Sequence, residues 1–370
     1  MMKSKLLNSL ILAALAAPIL ANAAVPTLTE VLDASGVSLT GYIDTGYTSL
    51  NSTGLFTGAP GTATRVFDAP NAVTGKNFNS FNLNQAAVTI SKLPKEGVGG
   101  VINLTTGQDA KVIASTGAPA SQFDVTQAYG SYATGPLTVI FGKFVTNSGA
   151  EVINSTANPN YSRSILFGYA IPFTHTGARL SYAVSDTVGL MAGINNGWDQ
   201  VSDMNTDKTL ELGFTATPSK MFSFAGSYYG GKEMAASNGN RSLLDLVATI
   251  TATDQLSFVV NYDNASQDNA LVVGQKAKWD GLAAYANYTI NDKWHLSLRG
   301  ETFNDKNGYR TGVVQKWKEA TLTAAYLPSK SLELRAEVRK DSSDQLAFLQ
   351  SDGSAKNSQN SLGLQAMYKF

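Results

Sequence analysis

The residues of this chain that could carry chemistry are few, and they argue against catalysis. The 370-residue sequence has two histidines, His175 and His295, and no cysteine. Thiol nucleophiles and thiolate metal sites are therefore excluded, and two isolated histidines make a poor zinc site. No G-x-S-x-G nucleophile motif accompanies them. We therefore expect the chain to be neither an enzyme nor the carrier of a cofactor.

One weak metal motif is present. Asp203, Asn205 and Asp207 place oxygen ligands at alternate positions, as calcium loops do. The next residue is Lys208, where a turn glycine is expected, and no bidentate glutamate follows at the required spacing. A solvated loop explains these residues better, and a calcium site remains the weaker alternative.

The remaining chemistry is electrostatic, because charged side chains recur at alternate positions of otherwise apolar segments. Alternate residues of a strand form two sets, or phases, that face opposite sides. If the apolar phase faces lipid, the charged phase faces the interior of the protein, where it can tune the passage of ions. The simpler interpretation is that these charges pair across strands and hydrate that interior. The bases in this phase are Arg179, Arg299, Arg335 and Arg339, and the acids are Asp44, Glu211, Asp245, Glu301, Glu333 and Glu337.

Residues 1–23 have the layout of a cleaved secretory signal peptide. Basic Met1–Lys5 precedes the apolar run Leu6–Leu20, and Ala21–Ala23 forms an A-x-A cleavage pattern. The apolar run is too short for an anchor helix, which needs about 20 residues. Residues 24–35 follow as a short periplasmic segment, either a helix or a disordered tail, and residues 36–370 form the main domain.

Charge gives no sign of a nucleic-acid partner. The chain carries 28 basic and 28 acidic residues without a block of like charge. Beyond the leader there is no apolar run of about 18 residues that could cross a bilayer as a helix. Any membrane crossing must therefore use strands closed into a barrel, because lipid cannot satisfy a free sheet edge.

Apolar residues alternate with period two from Val37 to the end, as in strands with two different faces. Leu210, Leu212 and Phe214, for example, alternate with polar or small neighbours. Seven short turns rich in Pro, Gly, Asn, Asp and Ser alternate along the chain with eight long polar loops. Successive strands are therefore joined by a long loop and a short turn in alternation. This arrangement predicts a transmembrane antiparallel β-barrel of about 16 strands, with Arg163–Ile171 as a segment that could add a further strand.

A soluble β-sandwich would also alternate, but the paired charges of the polar phase suit a water-filled lumen, and two further features oppose the sandwich. Aromatic residues of the apolar phase sit at strand ends, as the two interfacial girdles of a barrel require. The last segment of the chain has apolar residues at alternate positions and ends at Phe370. A C-terminal strand of this form is similar to the signal read by the barrel-insertion machinery of outer-membrane proteins. The girdle candidates are Tyr182, Tyr228, Tyr262, Phe222, Tyr288, Trp294 and Tyr326.

Several segments resemble a family of β-barrel porins of Gram-negative bacteria known as porin-2, or OmpL-like. The resemblance covers about Pro26–Lys208 and implies an outer-membrane pore without identifying its solute. The chain lacks the arginine cluster that marks a phosphate-selective pore. The segments are Gly41–Tyr47, Asp124–Tyr129, Phe141–Phe144, Gly149–Glu151, Ser162–Phe167, Ile171–Gly177 and Asn195–Asp199.

The resemblance implies that the third long loop, Asn147–Thr174, folds into the barrel and narrows it. Glu151 is its only acid and Arg163 its only base. We expect Glu151 to face a wall that includes Arg179. The alternation does not decide whether Lys143 faces lipid or the barrel interior. Passive diffusion of small hydrophilic solutes is the expected function, and a plugged barrel acting as an adhesin or receptor is the alternative. Lipid is an expected partner, and a homotrimer is a conceivable assembly.

Overall fold

A computed structural model describes residues 27–52, 54–55, 67, 79–115, 117–118, 121–234, 239–350 and 352–370. The predicted signal peptide lies outside these residues. The chain divides into an N-terminal unit that ends at Val37 and a second unit, Ser38–Phe370. The first contains helix α1, Leu28–Ser35, which begins with a Thr27–Glu30 capping box and ends at Gly36 in the left-handed conformation.

The described residues of the second unit form a closed barrel of sixteen antiparallel strands, as predicted. The first and last strands pair along their length, and Gly41 and Phe370 exchange two backbone hydrogen bonds of 2.9 Å. Closure leaves the sheet without a free edge. The strands are β1 Ser38–Leu50, β2 Ser80–Lys92, β3 Gly97–Thr106, β4 Phe123–Thr134, β5 Leu137–Val145, β6 Thr174–Ser185, β7 Val188–Asn195, β8 Thr209–Ser219, β9 Phe222–Lys232, β10 Asn240–Thr251, β11 Leu256–Asp268, β12 Lys276–Asn291, β13 Trp294–Asp305, β14 Gln315–Ser329, β15 Leu332–Ser343 and β16 Ser358–Lys369.

Alternate positions of the strands face opposite sides of the barrel wall, as the sequence pattern predicts. In β8, Leu210 and Leu212 are 48% and 43% exposed, whereas Glu211 between them is fully buried. In β13, Leu298 is 54% exposed and Arg299 is fully buried. The outer surface is therefore apolar, and the charged phase points inward.

Aromatic residues mark the ends of the outer face. Tyr182, Phe222, Tyr288 and Trp294 are exposed beside short turns, and Trp294 contacts Tyr326 with ring centres 4.7 Å apart. This band has the position expected of an interfacial aromatic girdle.

The long connections carry the remaining structure. Helix α2, Gln108–Ile113, lies in the second long loop, and helix α3, Ile165–Tyr169, lies in the third. A small three-stranded sheet joins Gly54–Leu55, Phe348–Leu349 and Ala355–Lys356, and so ties the first long loop to the last. None of the helices in the described ranges is long and apolar enough to cross a bilayer.

The two faces of the wall predict different responses to a charge. Leu298→Arg should lower the free energy of unfolding by about 2–4 kcal/mol, because Leu298 lies mid-strand on the apolar face. Thr215→Arg is the control, because Thr215 lies on the inward phase of β8 beside a cavity of about 440 Å³. Denaturant unfolding in lipid vesicles measures both, and equal losses would contradict this assignment of faces.

Candidate functional site

The third long loop, residues 146–173, packs against the inward-facing side of the barrel wall. Its apolar residues Ile153, Ile165, Leu166 and Phe167 are buried, as their composition predicts, whereas Val152 is 43% exposed. These residues join an apolar cluster with wall side chains that point inward. The wall members of that cluster include Trp279, Tyr285, Phe303 and Trp317.

Local hydrogen bonds give the loop its shape. Asn154 caps a short 3₁₀ turn, Ser155–Ala157. Ser164 caps α3 by accepting from the Phe167 N–H at 3.0 Å. Arg163–Ile171 therefore does not form the further strand considered above, because Ser164 caps a helix within that segment.

Two buried glutamates of the wall hold the loop through its backbone. Glu301 of β13 accepts from the N–H groups of Ile165 and Leu166 at 2.7 and 3.0 Å. Glu337 of β15 accepts from the N–H groups of Tyr161 and Ser162 at 2.8 and 3.1 Å. Each carboxyl group thus accepts two backbone N–H groups of the loop, so these two side chains act as tethers.

Arg299 connects the wall to the only acid of the loop. Its guanidinium lies 2.7 Å from the Glu151 carboxylate and 2.7 Å from that of Glu319 in β14. It also donates to the Ser162 carbonyl at 2.6 Å. Glu151 in turn accepts from the Ser164 N–H at 2.7 Å. The loop and wall charges thus form one buried network.

The expected opposition of Glu151 and Arg179 is wrong. Arg179 pairs with Glu211 at 2.6 Å and stacks on Phe144, with its guanidinium carbon 4.3 Å from the ring centre. Glu211 is two strands from Arg179 and also accepts from the Tyr229 hydroxyl at 2.7 Å. Glu151 reaches the far side of the barrel and finds Arg299 instead.

The other predicted bases also bind the loop backbone. Arg339 pairs with Asp341 at 2.8 Å and donates to the Arg163 carbonyl at 2.6 Å. Arg335 donates to the Asn160 carbonyl at 3.1 Å. Its charge is paired with Glu333 at 2.7 Å, and Lys369 reaches the same carboxylate at 3.1 Å.

Arg163 itself stays within the loop. It donates to the carbonyls of Val152 and Ile153 at 3.2 and 2.7 Å, and its guanidinium lies 5.8 Å from the Phe167 ring centre. The two remaining wall acids are bound by amides. Asp44 accepts from Asn84 and Gln365, and Asp245 accepts from Asn261.

Tyr161 is a loop residue that sequence reasoning missed. Its ring fills a space between two inward-facing glycines, Gly46 of β1 and Gly363 of β16. A Cβ at Gly363 would lie 2.5 Å from the Tyr161 ring, and one at Gly46 would collide with its hydroxyl. Isolated glycines inside strand patterns were the available signal, because they often mark a close approach.

Lys143 is buried rather than exposed to lipid. It pairs with Asp124 at 2.9 Å and is 8% exposed, while Phe141 of the same strand is 63% exposed. Gly142 between them has φ +132°. This local irregularity interrupts the alternation, so period two alone could not place Lys143.

The two histidines lie apart and serve structural contacts. His175 stacks on Tyr229 with ring centres 4.7 Å apart, and its Nδ1 lies 3.2 Å from the Gly197 carbonyl. His295 contacts the Thr289 hydroxyl at 3.2 Å.

The calcium candidates are engaged by lysines. Asp203 lies 2.5 Å from Lys208, and Asp207 lies 2.9 Å from Lys232. Asn205 donates to the Lys232 carbonyl at 3.0 Å. Across the described ranges, no group of three His, Cys, Asp or Glu residues is arranged to hold a metal ion.

Two cavities flank the loop. One of about 440 Å³ adjoins Thr138, Ser181 and Thr215 on the β5–β8 side. A second, of about 150 Å³, lies between the loop and the β1–β5 side. Among the described residues that line it, Glu151 is the only charged one, and its neighbours include Thr89, Asn103, Thr126 and Gln127.

Comparisons with known proteins agree with this geometry. A family model described as "Putative beta-barrel porin-2, OmpL-like" matches residues 36–370. No curated protein matches the chain at a significant level.

Solved structures with a similar fold include the outer membrane channel DcaP of Acinetobacter baumannii, with 15% identity and a TM-score of 0.62 over 90% of this chain and 97% of that one. An anion-selective porin from Comamonas acidovorans has 12% identity and a TM-score of 0.61 over 90% and 99%. A trimer form of OmpT from Vibrio cholerae has 14% identity and a TM-score of 0.59 over 90% and 99%. At these identities the likeness shows the fold alone.

The space around Tyr161 predicts a stability test. Gly363→Ala should lower the free energy of unfolding by about 1–3 kcal/mol, because its Cβ overlaps the Tyr161 ring. Gly300→Ala is the control, since a Cβ there meets its nearest atom at 3.9 Å. In a Tyr161→Ala background the Gly363→Ala loss should largely disappear. A loss that persists without the ring, measured by denaturant unfolding, would show that the clash lies elsewhere.

Proposed function

The chain belongs to the β-barrel porin-2, OmpL-like family, and from this membership we propose that it is an outer-membrane channel for passive diffusion of small hydrophilic solutes. A sixteen-stranded barrel is wide enough to hold an aqueous channel, whereas eight strands would be filled by side chains. The third loop forms the narrowing in this proposal. The observation that carries it is the tethering of the loop to the inner wall by Glu301 and Glu337.

The proposed constriction selects mainly by size. Each candidate arginine of the wall has a carboxylate partner within 2.8 Å. Paired charges give a weak field at a distance, so a strong transverse field is not expected across the loop. The 150 Å³ cavity beside Glu151 has many neutral hydrogen-bonding groups, which suits uncharged hydrophilic solutes. We assign the narrowing to Glu151, Arg163, Arg179, Arg299, Glu301, Glu333, Arg335, Glu337 and Arg339.

A plugged barrel that acts through its outer loops is the second candidate. The observation in its favour is the apolar cluster between loop and wall, in which Trp279, Phe303 and Trp317 are fully buried. A dense apolar interior excludes water and would block solute passage in that part of the lumen. Conductance separates the two candidates, because only a channel carries ions.

Planar-bilayer recording of the purified full chain tests the narrowing. The wild type should give stable conductance steps, and Glu301→Ala/Glu337→Ala should give larger, noisier ones. Each loss leaves buried N–H groups without acceptors, at about 1–3 kcal/mol per group, which favours release of the loop. Asp280→Ala is the control, because this carboxylate pairs with Lys306 at 2.5 Å and not with a backbone group of the third loop.

The two results bear on different parts of the proposal. Absence of conductance in the wild type would reject the channel and favour the plugged barrel. Wild-type conductance that the double variant leaves unchanged would reject the loop as the narrowing while retaining the channel.

Three related proposals concern biogenesis and assembly. Residues 1–23 are removed as a signal peptide on export, and the barrel-insertion machinery reads the C-terminal strand ending at Phe370. The mature chain assembles as a homotrimer in lipid. Support for the last comes from the trimer form among the structures of similar fold.

A further inference from the structure

Folding brings two arginines together at the end of the barrel where the long loops lie. Arg241 is the second residue of β10, and Arg310 lies in the loop between β13 and β14. Their guanidinium carbons lie 4.8 and 6.0 Å from the ring centre of Trp198. Arg310 also lies 5.3 Å from the ring centre of Trp279. Both arginines are half-buried, so solvent still reaches them.

Neither guanidinium forms an ion pair within the described part of the chain. Arg241 donates to the Gln267 side chain at 2.8 Å and to the Tyr309 hydroxyl at 2.9 Å. Arg310 donates through Nε to the Tyr169 carbonyl. Its two terminal nitrogens have no hydrogen-bond acceptor among the described residues, and one terminal nitrogen of Arg241 is in the same state.

The nearby carboxylates are used by backbone groups. Asp305 accepts from the N–H groups of Tyr309, Arg310 and Thr311 at 2.7–3.0 Å. Asp199 accepts from the N–H groups of Phe173 and Thr174 at 2.7 and 2.9 Å. These acids fix the loops and leave the guanidinium ends open.

The pair differs from the arginines of the third-loop network, each of which meets a carboxylate or several carbonyls. Two like charges on one indole repel each other, and cation–π contact contributes about 0.5–2 kcal/mol without removing the charge. Burial, followed by the Arg241 charge, lowers the pKa of Arg310 to about 10. Arg310 therefore stays charged at neutral pH, and the terminal donors of the pair remain available to an anion.

We propose that Arg241 and Arg310 form an anion-binding subsite at the outer entrance, beside the third-loop residue Tyr169, and that this subsite captures small carboxylate solutes. This rests on the proposed channel function for its biological use, but not for binding itself. A planar carboxylate matches the fork of a guanidinium and can take the free terminal donors.

The local charge favours a monoanion. The two guanidinium charges are accompanied by the carboxylates of Asp199 and Asp305, so the four groups together carry no net charge. One added negative charge gains hydrogen bonds at little electrostatic cost, whereas a phosphate dianion would add an excess of negative charge to a half-buried site. Acetate is therefore the appropriate probe.

Tryptophan fluorescence measures this binding independently of conduction, because Trp198 and Trp279 contact the guanidiniums. Acetate should replace chloride at constant ionic strength, with the full chain in detergent. We expect a saturable change in the wild type. Arg241→Gln and Arg310→Gln should each weaken it about ten-fold or more, since each loses a charge-assisted hydrogen bond. Lys278→Gln, an exposed lysine of β12, is the matched control for loss of positive charge.

A linear, non-saturating wild-type response would overturn the subsite, and so would equal acetate affinity in both arginine variants. Phosphate at pH 8 binding more tightly than acetate would overturn the carboxylate assignment. Bilayer recording on the same protein separates the two proposals. Conductance without acetate binding rejects the subsite alone, and acetate binding without conductance rejects the channel alone.

Discussion

The structure depends on one constraint: an ionised side chain that faces into a closed barrel must find its partner inside that barrel. Burying an unpaired charge is very costly, so an inward carboxylate that stays ionised needs donors. The strand backbone cannot supply them, because its N–H groups are used in the sheet. The third loop brings unused N–H groups to Glu301 and Glu337, and brings Glu151 to Arg299. The loop and the wall therefore supply hydrogen-bonding and ion-pairing partners to each other.

The sequence predicts most of the wall because period two is a local property. A neighbouring pair such as Leu298 and Arg299 indicates by its residue types which side of the wall each side chain faces. The composition of the turns indicates how many strands there are. Pairing across the lumen is not local. Glu337 and Tyr161 are 176 positions apart, and Arg299 and Glu151 are 148 apart. Several acids and bases fit equally well by phase alone, so the alternation could not identify Arg299 as the base that pairs with Glu151.

Local exceptions limit the same reasoning in the strands. A single glycine with positive φ precedes Lys143. From that position the alternation no longer indicates which side of the barrel wall a residue faces. Gly46 and Gly363 look like weak points in a strand, yet they provide the space for Tyr161. Both effects depend on what approaches from elsewhere in the chain. The sequence therefore marks where an exception lies without giving its cause.

In the proposed channel, size and charge are selected by different groups of residues. In the proposed channel the arginines of the third-loop network are each paired with a carboxylate, and the third loop acts mainly as an obstacle. Arg241 and Arg310 retain unused terminal donors at the end of the barrel where the long loops lie, and in our proposal these donors bind an anion through hydrogen bonds. A barrel whose narrow part is held together by its charges must place selective charges elsewhere, because any charge released for selection at the loop would loosen the loop itself.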